Sequence, residues 1–556
     1  MALQDIRILV ALDFGTTYSG FAYVHKENPD NIETNHTWPG REGVFKTPTA
    51  LLYNETYTQV KSWGDLALEE EPEYMVDDSE ERSRPIELFK LHISDLKDNQ
   101  KPWLPSQLNY KKAIEDYLTQ MQILIKSTLE RRWPAIRFPQ QVGFVLTIPA
   151  EWPNNTTGIM RECAYKAGLL STLNSAHLEF TTEPEAAALY CLNVVKEHNL
   201  HPGDSFLVAD CGGGTVDITS RKLLHDNKLS EITERIGDLC GSTFVDKEFL
   251  QFLGRKVGFQ ALETLKRCNY GQMQHLIQQF FCNLVKFKFK GDPTTFKPMR
   301  LILHRYCPDL QEYVTGELKE KMEEAGWIVK LDFESVKGMF DPVVDKVIKL
   351  IDGQLKEARD RCSAMFLVGG FSESPYLLNR VRETFRDQVP IIAVPALPIA
   401  AVVRGAVAYG LNVEIVQERV LKWTYGIEVC RSWVSGKDKK NRRTHDGLIF
   451  YFYKLAQRRT KVDVDRKFSG EFSPVRADQT HIVFNVYYTR NDFAKYCNES
   501  GMKLLGTLRI NTPDTHFGLN RQIEFSLTFA KMEIKATAKN KRNGKTYDET
   551  TFELDI

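Results

Sequence analysis

The sequence lacks the marks of several protein classes. Its 10 cysteines include no C-x-x-C pair, which argues against a zinc site and against a disulfide framework. No apolar run approaches the roughly 18 residues that a membrane-spanning helix needs. The first residues, MALQDIRILVALDFG, contain neither a basic stretch nor a small-residue cleavage site, so we expect no signal peptide. These absences predict a cytoplasmic protein with reduced thiols and no membrane span.

An excess of charge of one sign is also missing. Lys and Arg together number 73, and Asp and Glu together number 73, so the formal net charge is +0 at pH 7. Without a global positive field, nucleic acid is not an expected partner. The basic stretch GKDKKNRRTHDG (436–447) is interpreted as a solvated loop, with nucleic-acid binding there as the alternative.

The chain is long, and its pattern of apolar and polar residues changes along its length. With 556 residues, of which 42% are hydrophobic, it is long enough for two or more domains. Residues 1–418 alternate short apolar runs with helix-like stretches, which predicts α/β architecture. From residue 419 the pattern is typical of β-strands, as in HIVFNVYY and IEFSLTF, where every second residue is apolar. We therefore predict an α/β domain at 1–418 and a β-rich domain at 419–556.

Two glycine-containing segments repeat one pattern. VADCGGGTVDITS (208–220) and LVALDFGTTYSGFAYV (9–24) each place an apolar run before an aspartate, a glycine turn, a threonine and a second apolar run. Neither is a G-x-G-x-x-G motif that opens a helix, and the chain has no G-x-x-x-x-G-K-[ST] P-loop. Either segment alone is compatible with an ordinary β-hairpin. Together they favour a pair of hairpins that clamp a phosphate chain.

The residue types in these turns suit phosphate and magnesium chemistry. Glycine lets backbone N–H groups approach phosphate oxygens closely, and threonine hydroxyls add donors. Aspartate would repel phosphate, so its expected role is to hold Mg²⁺ through metal-bound water. The candidate turn residues are Asp13, Gly15, Thr16 and Thr17 in the first hairpin, and Asp210, Gly212, Gly213, Gly214 and Thr215 in the second.

Two further segments carry candidate residues. In TTEPEAAALYC (181–191), Glu183 precedes a proline that fits the first turn of a helix. Its carboxylate is a candidate for the magnesium shell or for positioning a nucleophile, and the alternative is a helix cap. In MFLVGGFSESPYLLNRV (365–381), Gly369 and Gly370 end an apolar run, which suits close approach to a nucleoside or a simple strand-to-helix turn.

These segments, in this order, resemble the actin-like ATPase superfamily, and within it the seventy-kilodalton heat-shock chaperones. The segment VLTIPAEWPNNTTGIMRECAYKAGL followed by TEPEAAALY is similar to that family's pattern, and so are TYGIEV, LLGTLRI and IEFSLTF near the C-terminus. EPEAAALYC and VGGFSESP resemble the divergent member-twelve (12A/12B-like) branch more than the standard chaperones. The resemblance implies two ribonuclease-H-like lobes around a nucleotide cleft, followed by a smaller β-sandwich-like domain.

The resemblance also implies roles for individual residues. Lys90, in ELFKLHISD, corresponds to a lysine that balances γ-phosphate charge, with a surface lysine as the alternative, and Lys286 is a candidate for the adenine pocket. The implied catalytic residues are Glu183, Asp210, Asp217 and Lys90. Mg²⁺ would be held, through water, by Asp13, Asp210 and Asp217. ATP or ADP would be contacted by Asp13, Gly15, Thr16, Thr17, Gly212, Gly213, Gly214, Thr215, Gly241, Gly369, Gly370 and Phe371.

Three departures from the family pattern limit what it implies. Glu373 stands where the family has an arginine that stacks on adenine, so the base preference stays open. The stretch EIVQERVLKWTYG replaces the leucine-rich linker between domains, which leaves coupling between them open. The sequence stops at Ile556, just after the last expected β-strand, so we expect no helical lid.

Three functions follow as hypotheses. The first is a Mg²⁺-dependent, slow ATPase with a chaperone-like or regulatory role, in which nucleotide state controls a protein client or partner bound by residues 419–556. The second is a nucleotide-sensing scaffold that does not hydrolyse ATP. The third is a sugar or metabolite kinase of the same superfold, in which a hydroxyl replaces water.

Overall fold

The computed structural model describes most of the chain in atomic detail. The described residues are 6–69, 84–94, 96–150, 152, 156–358, 360–412, 416–463, 466–512, 514–530, 533–542, 544–546 and 550–553. All ten cysteines are free thiols. Within these ranges, no helix is both long enough and apolar enough to cross a membrane.

Strands and helices are interspersed through the first three quarters of the chain, and the described elements that follow are strands and two short 3₁₀ turns. The first strands are β1 (Ile8–Asp13), β2 (Tyr18–His25), β3 (Glu33–Thr34), β4 (Thr37–Trp38), β5 (Arg41–Glu42), β6 (Thr47–Pro48), β7 (Ala50–Tyr53), β8 (Val60–Trp63), β9 (Ile86–Glu87), β10 (Val142–Ile148), β11 (Leu178–Thr182), β12 (Ser205–Cys211), β13 (Val216–Leu223), β14 (Leu229–Glu231) and β15 (Ile236–Asp238). The later strands are β16 (Met299–Ile302), β17 (Ile328–Leu331), β18 (Cys362–Val368), β19 (Ile391–Ala393), β20 (Val416–Val420), β21 (Thr424–Ser432), β22 (Leu448–Ala456), β23 (Lys461–Asp463), β24 (Lys467–Phe472), β25 (His481–Thr489), β26 (Lys503–Asn511), β27 (Ile523–Ala530), β28 (Glu533–Asn540) and β29 (Thr550–Glu553). The α-helices are α1 (Tyr110–Arg132), α2 (Thr156–Lys166), α3 (Glu183–Glu197), α4 (Thr243–Val257), α5 (Phe259–Cys268), α6 (Tyr270–His275), α7 (Leu303–Tyr306), α8 (Leu310–Tyr313), α9 (Gly316–Glu324), α10 (Phe333–Ala358), α11 (Pro375–Phe385) and α12 (Ala401–Leu411).

The chain forms two compact units. Unit 1 comprises Met1–Trp152, Gly158–Leu223 and Ile236–Val413. Unit 2 comprises Pro153–Thr157, Leu224–Arg235 and Glu414–Ile556. The predicted mixed α/β architecture is confirmed, while the domain boundary at 418/419 stays a prediction.

The first sheet of unit 1 is built around a hairpin. Its strand order is β11-β10-β1-β2-β3, and β6 also pairs with β2. β1 and β2 are antiparallel, whereas β10 and β11 run parallel to β1. β1, ILVALD, lies between β10 and β2 and is buried along its whole length. The hairpin register places Asp13 opposite Gly20.

A second sheet in unit 1 has the same arrangement. β12 and β13 form an antiparallel hairpin, and β18 and β19 run parallel to β12. β15 pairs with the outer side of β13. Asp210 lies opposite Asp217 in the hairpin register. Both hairpins therefore carry an aspartate at the end of their first strand, Asp13 in one and Asp210 in the other.

Helices α3 and α12 pack closely because a glycine removes a side chain between them. A Cβ atom on Gly405 of α12 would lie 1.7 Å from the carbonyl oxygen of Ala186 in α3. α3 begins directly after β11: the hydroxyl of Thr182 accepts the N–H of Glu185 at 3.3 Å, and Pro184 occupies the first turn. This strand-to-helix junction places Glu183 at the end of the first sheet.

Unit 2 consists mainly of strands. Two four-stranded sheets have the orders β22-β21-β25-β26 and β24-β27-β28-β29. The alternation predicted for HIVFNVYY and IEFSLTF is confirmed, since every second residue from Ile482 to Tyr488 in β25 and from Ile523 to Phe529 in β27 is apolar and buried. Rings from the two sheets meet: Phe484 stacks on Phe525 at 4.6 Å, and Tyr425 lies 5.2 Å from Phe529.

Unit 2 also includes a short excursion of the chain, the segment Leu224–Arg235 between β13 and β15. Within this excursion, Glu231 and Arg235 form a fully buried ion pair at 2.5 Å. The second carboxylate oxygen of Glu231 accepts the backbone N–H of Val420 in β20 at 2.8 Å. These charged hydrogen bonds hold the excursion to β20, and β14 runs parallel to β20.

Candidate functional site

The turns of the two glycine hairpins lie against each other in unit 1. A Cβ atom on Gly213 would lie 2.1 Å from the hydroxyl of Thr17. A Cβ atom on Gly214 would lie 3.3 Å from the side chain of Thr16. The threonines of the first turn therefore face the glycines of the second, and side chains at these glycine positions would push the turns apart.

The second turn is held by the segment that leads into α4. Gly241 donates its N–H to the carbonyl of Gly214 at 3.2 Å, and Thr243 donates both its N–H and its hydroxyl to Gly213 at 2.9 Å. A Cβ atom on Gly241 would lie 2.4 Å from the oxygen of Gly213, so only glycine allows this approach. Gly212 N–H closes the turn on the carbonyl of Thr215 at 2.9 Å.

The first turn is held in a similar way from the other side. The hydroxyl of Thr49 donates to the carbonyl of Gly15 at 2.9 Å, and the N–H of Thr49 donates to the carbonyl of Thr17 at 2.8 Å. In the described residues, no hydrogen bond engages the N–H groups of Gly213 and Gly214 or the hydroxyls of Thr16 and Thr17. The carbonyls are thus occupied while these donors remain available, an arrangement that suits an anion.

Four carboxylates lie at this end of the two sheets. Asp13, Glu183, Asp210 and Asp217 are all buried. Burial raises the pKa of Asp210 to about 7, and repulsion by Glu183 adds to the effect. Burial also raises the pKa of Glu183, although Lys90 opposes the shift. Buried carboxylates with raised pKa values are more common at functional sites than elsewhere.

Lys90 lies in the interior beside this cluster and is not a surface residue. Its side chain is 1% exposed. Its Nζ donates to Glu183 Oε1 at 3.0 Å and to the backbone carbonyl of Phe14. The ammonium also lies 4.7 Å from the ring centre of Trp152. Lys90 therefore fixes the Glu183 carboxylate relative to the first hairpin turn.

A second lysine in the cluster was missed by sequence reasoning. Lys46 Nζ lies 2.5 Å from Asp13 Oδ2. Burial alone would lower the pKa of this ammonium, but attraction by the carboxylates of Asp13, Asp210 and Glu183 outweighs burial and raises the pKa. The segment VFKTPTA carries no local motif that would single out the lysine. Its position follows from pairing of β6 with β2, which is a long-range contact.

Gly369, which is predicted to line the nucleoside, lies next to Asp210 of the carboxylate cluster. This glycine has φ +80°, and a Cβ atom on it would lie 2.5 Å from Asp210 Oδ1. Gly370 follows at the end of β18 and begins a short 3₁₀ turn. Phe371 is fully buried in the hydrophobic core. Glu373 is exposed on the same turn.

The other adenine-pocket candidate is engaged in an ion pair. Lys286 Nζ contacts both carboxylate oxygens of Asp246 in α4, at 2.8 and 3.0 Å. Lys286 is buried at the end of a π-helix that spans Leu276–Lys286. Its ammonium therefore serves first to join that helix to α4.

The spacing of the carboxylates decides how they could hold a metal ion. In the described part of the chain, no three or more His, Cys, Asp or Glu side chains converge closely enough to ligate one ion directly. Asp13 is also occupied, by Lys46 on one oxygen and by the hydroxyl of Thr147 at 3.3 Å on the other. A Mg²⁺ ion at these residues would therefore have to be held through water rather than by direct coordination.

Comparison with known proteins finds one matching family and several similar sequences. A domain of unknown function (DUF8340) matches residues 199–394. The chain is 27% identical to heat shock 70 kDa protein 12A of Homo sapiens over 96% of its own length and 90% of the relative's. The predicted resemblance to the 12A/12B branch is confirmed. Heat shock 70 kDa protein 12A of Mus musculus is likewise 27% identical, and 12B of Homo sapiens is 25% identical over 96% of this chain and 89% of that relative.

Proposed function

We propose that the chain binds ATP or ADP between the two glycine hairpins and hydrolyses ATP slowly. The observation that carries the proposal is the contact of the two turns, with Thr17 against Gly213 and Thr16 against Gly214. Similarity to the heat shock 70 kDa proteins over 96% of the chain supports it. An actin-like arrangement of two lobes around this cleft, followed by a β-sandwich, is part of the same proposal.

The residues around the cleft divide the work of hydrolysis. The N–H groups of Gly213 and Gly214 and the hydroxyls of Thr16 and Thr17 hold phosphate oxygens. Mg²⁺, held through water by Asp13, Asp210 and Asp217, supplies further neutralisation of phosphate charge. Such sites act by positioning and by electrostatic stabilisation rather than by covalent chemistry.

The attacking water is oriented by carboxylates. Glu183 is held by Lys90 at 3.0 Å, so its free oxygen has a defined position. Asp210, buried opposite Asp217 in the second hairpin, is the second carboxylate proposed to accept a proton from this water. Gly369, in contact with Asp210, leads to the nucleoside end of the site, where Glu373 leaves the base preference to be measured.

Unit 2 supplies the binding surface for a protein client or partner in this proposal. Its strands carry the resemblance to the substrate-binding domain of the seventy-kilodalton chaperones. Nucleotide state would then control what residues 419–556 bind, in the cytoplasm and without a nucleic-acid partner.

Thermal unfolding with and without Mg-ATP tests the proposal. We expect Mg-ATP to raise the melting temperature by about 2 °C or more, because a ligand that binds only the folded state stabilises it. Asp210→Ala should abolish both this shift and phosphate release. Asp360→Ala, which removes an exposed carboxylate from unit 1, is the matched control and should behave like the wild type.

Measurements of nucleotide binding, phosphate release and phosphate transfer together separate the alternatives. An unchanged shift in Asp210→Ala would show that nucleotide binds elsewhere. Tight binding without phosphate release would select the nucleotide-sensing scaffold, and transfer of phosphate to a small alcohol would select the kinase. Calorimetric titration with ATP, ADP and GTP gives the base preference.

A further inference from the structure

The first hairpin brings a lysine to Asp13 by a specific backbone arrangement. Lys46 directly precedes β6, whose two residues pair with the first two residues of β2. The next residue of β2, Gly20, lies opposite Asp13. A Cβ atom on Gly20 would lie 3.2 Å from Cγ of Lys46. The missing side chain at Gly20 therefore leaves room for the Lys46 stem to pass over the hairpin to Asp13.

The contact that results is short and largely shielded from water. The Lys46 side chain is 14% exposed and that of Asp13 is 4% exposed, and their charged atoms lie 2.5 Å apart. Screening by solvent is weak at such a site, so the ammonium acts as a fixed charge. Asp210 and Glu183 also attract it, so Lys46 interacts with three of the buried carboxylates.

The balance of charge at the site depends on this lysine. Three carboxylates, those of Asp13, Asp210 and Glu183, attract the ammonium of Lys46, and Glu183 also accepts a hydrogen bond from Lys90. Without Lys46, Asp13 would face an incoming triphosphate as an unpaired negative charge. A divalent cation would then be needed to offset that repulsion.

We propose that Lys46 neutralises Asp13 and so allows the nucleotide triphosphate to bind with little dependence on Mg²⁺. The inference rests on the proposed nucleotide site and adds to it a residue that controls the metal dependence of binding. Hydrolysis would still use Mg²⁺, whereas occupancy of the cleft would not require it. Lys46 is thus a positioning residue for phosphate rather than a reacting group.

Calorimetric titration of the full chain with ATP, in saturating Mg²⁺ and in EDTA, tests this role. For the wild type we expect Kd to rise by less than about tenfold when Mg²⁺ is removed. For Lys46→Met we expect a rise of about 100-fold or more, since an unpaired carboxylate beside phosphate typically shifts affinity by that order. Lys46→Arg keeps the charge and should retain most of the wild-type tolerance to EDTA.

A double variant guards against a fold defect. Lys46→Met combined with Asp13→Asn removes both charges, so its affinity in EDTA should exceed that of Lys46→Met alone. Equal dependence on Mg²⁺ in the wild type and in Lys46→Met would overturn the inference while leaving the nucleotide site intact. Absence of ATP binding to the wild type in both buffers would overturn the proposed function, and the inference with it.

Discussion

Replacement of Lys90 by methionine is expected to lower the rate of ATP hydrolysis about 100-fold or more, with a much smaller effect on ATP affinity. The Lys90 ammonium is buried and donates to Glu183 and to the carbonyl of Phe14. Its removal leaves Glu183 without the contact that fixes its carboxylate, so the attacking water loses its orientation. Single-turnover measurement of phosphate release at saturating ATP isolates this effect from binding.

Lys222→Met is the matched control for Lys90→Met. Lys222 also belongs to unit 1, but its side chain is 38% exposed and its ion pair with Asp360 is long, at 3.3 Å. Surface pairs of this kind contribute little to stability or geometry. Turnover in Lys90→Met equal to that of Lys222→Met would remove Lys90 from the catalytic arrangement.

Replacement of Gly241 by alanine is expected to abolish measurable nucleotide binding and to destabilise unit 1 by about 2–4 kcal/mol. The added Cβ would lie 2.4 Å from the oxygen and 2.5 Å from the carbonyl carbon of Gly213. These are backbone atoms of the phosphate-binding turn, so the clash cannot be relieved by rotating a side chain. Calorimetric titration with Mg-ATP and urea unfolding report the two effects separately.

Gly338→Ala provides the control for a glycine-to-alanine change. Gly338 lies in α10, and a Cβ atom there would meet no heavy atom within 4 Å. Alanine is a better helix former, so this variant should be more stable by about 0.5–1 kcal/mol and should bind nucleotide normally. If Gly241→Ala also binds ATP with unchanged affinity, the second turn is not part of the site.

The features that sequence reasoning found are those with a local signal. Asp13 and Asp210 each end an apolar run and precede a glycine turn, so their place at the end of a buried strand could be predicted from a dozen residues. The junction of β11 and α3 at Glu183 could likewise be predicted, because a proline occupies the first turn of the helix. Resemblance to a family then predicted that these separate segments share one cleft.

The features that it missed depend on contacts between distant segments. Lys46 reaches Asp13 only because β6 pairs with β2 and because Gly20 has no side chain. The resemblance implied that Phe371 contacts the nucleotide; in the structure its ring packs into the hydrophobic core, a contact that no local pattern indicates. The excursion Leu224–Arg235 joins unit 2 through the buried pair of Glu231 and Arg235, whose charges give no hint of burial in the sequence.

The most direct test of the central claim is hydrogen–deuterium exchange with and without saturating ATP. If the two turns together clamp the phosphates, nucleotide should slow exchange in peptides covering Gly15–Thr17 and in peptides covering Gly212–Thr215 at the same ATP concentration. The N–H groups of Gly213 and Gly214, which have no partner among the described residues, should be the most strongly protected. Protection of one turn alone, or of neither while nucleotide is demonstrably bound, would contradict the clamp.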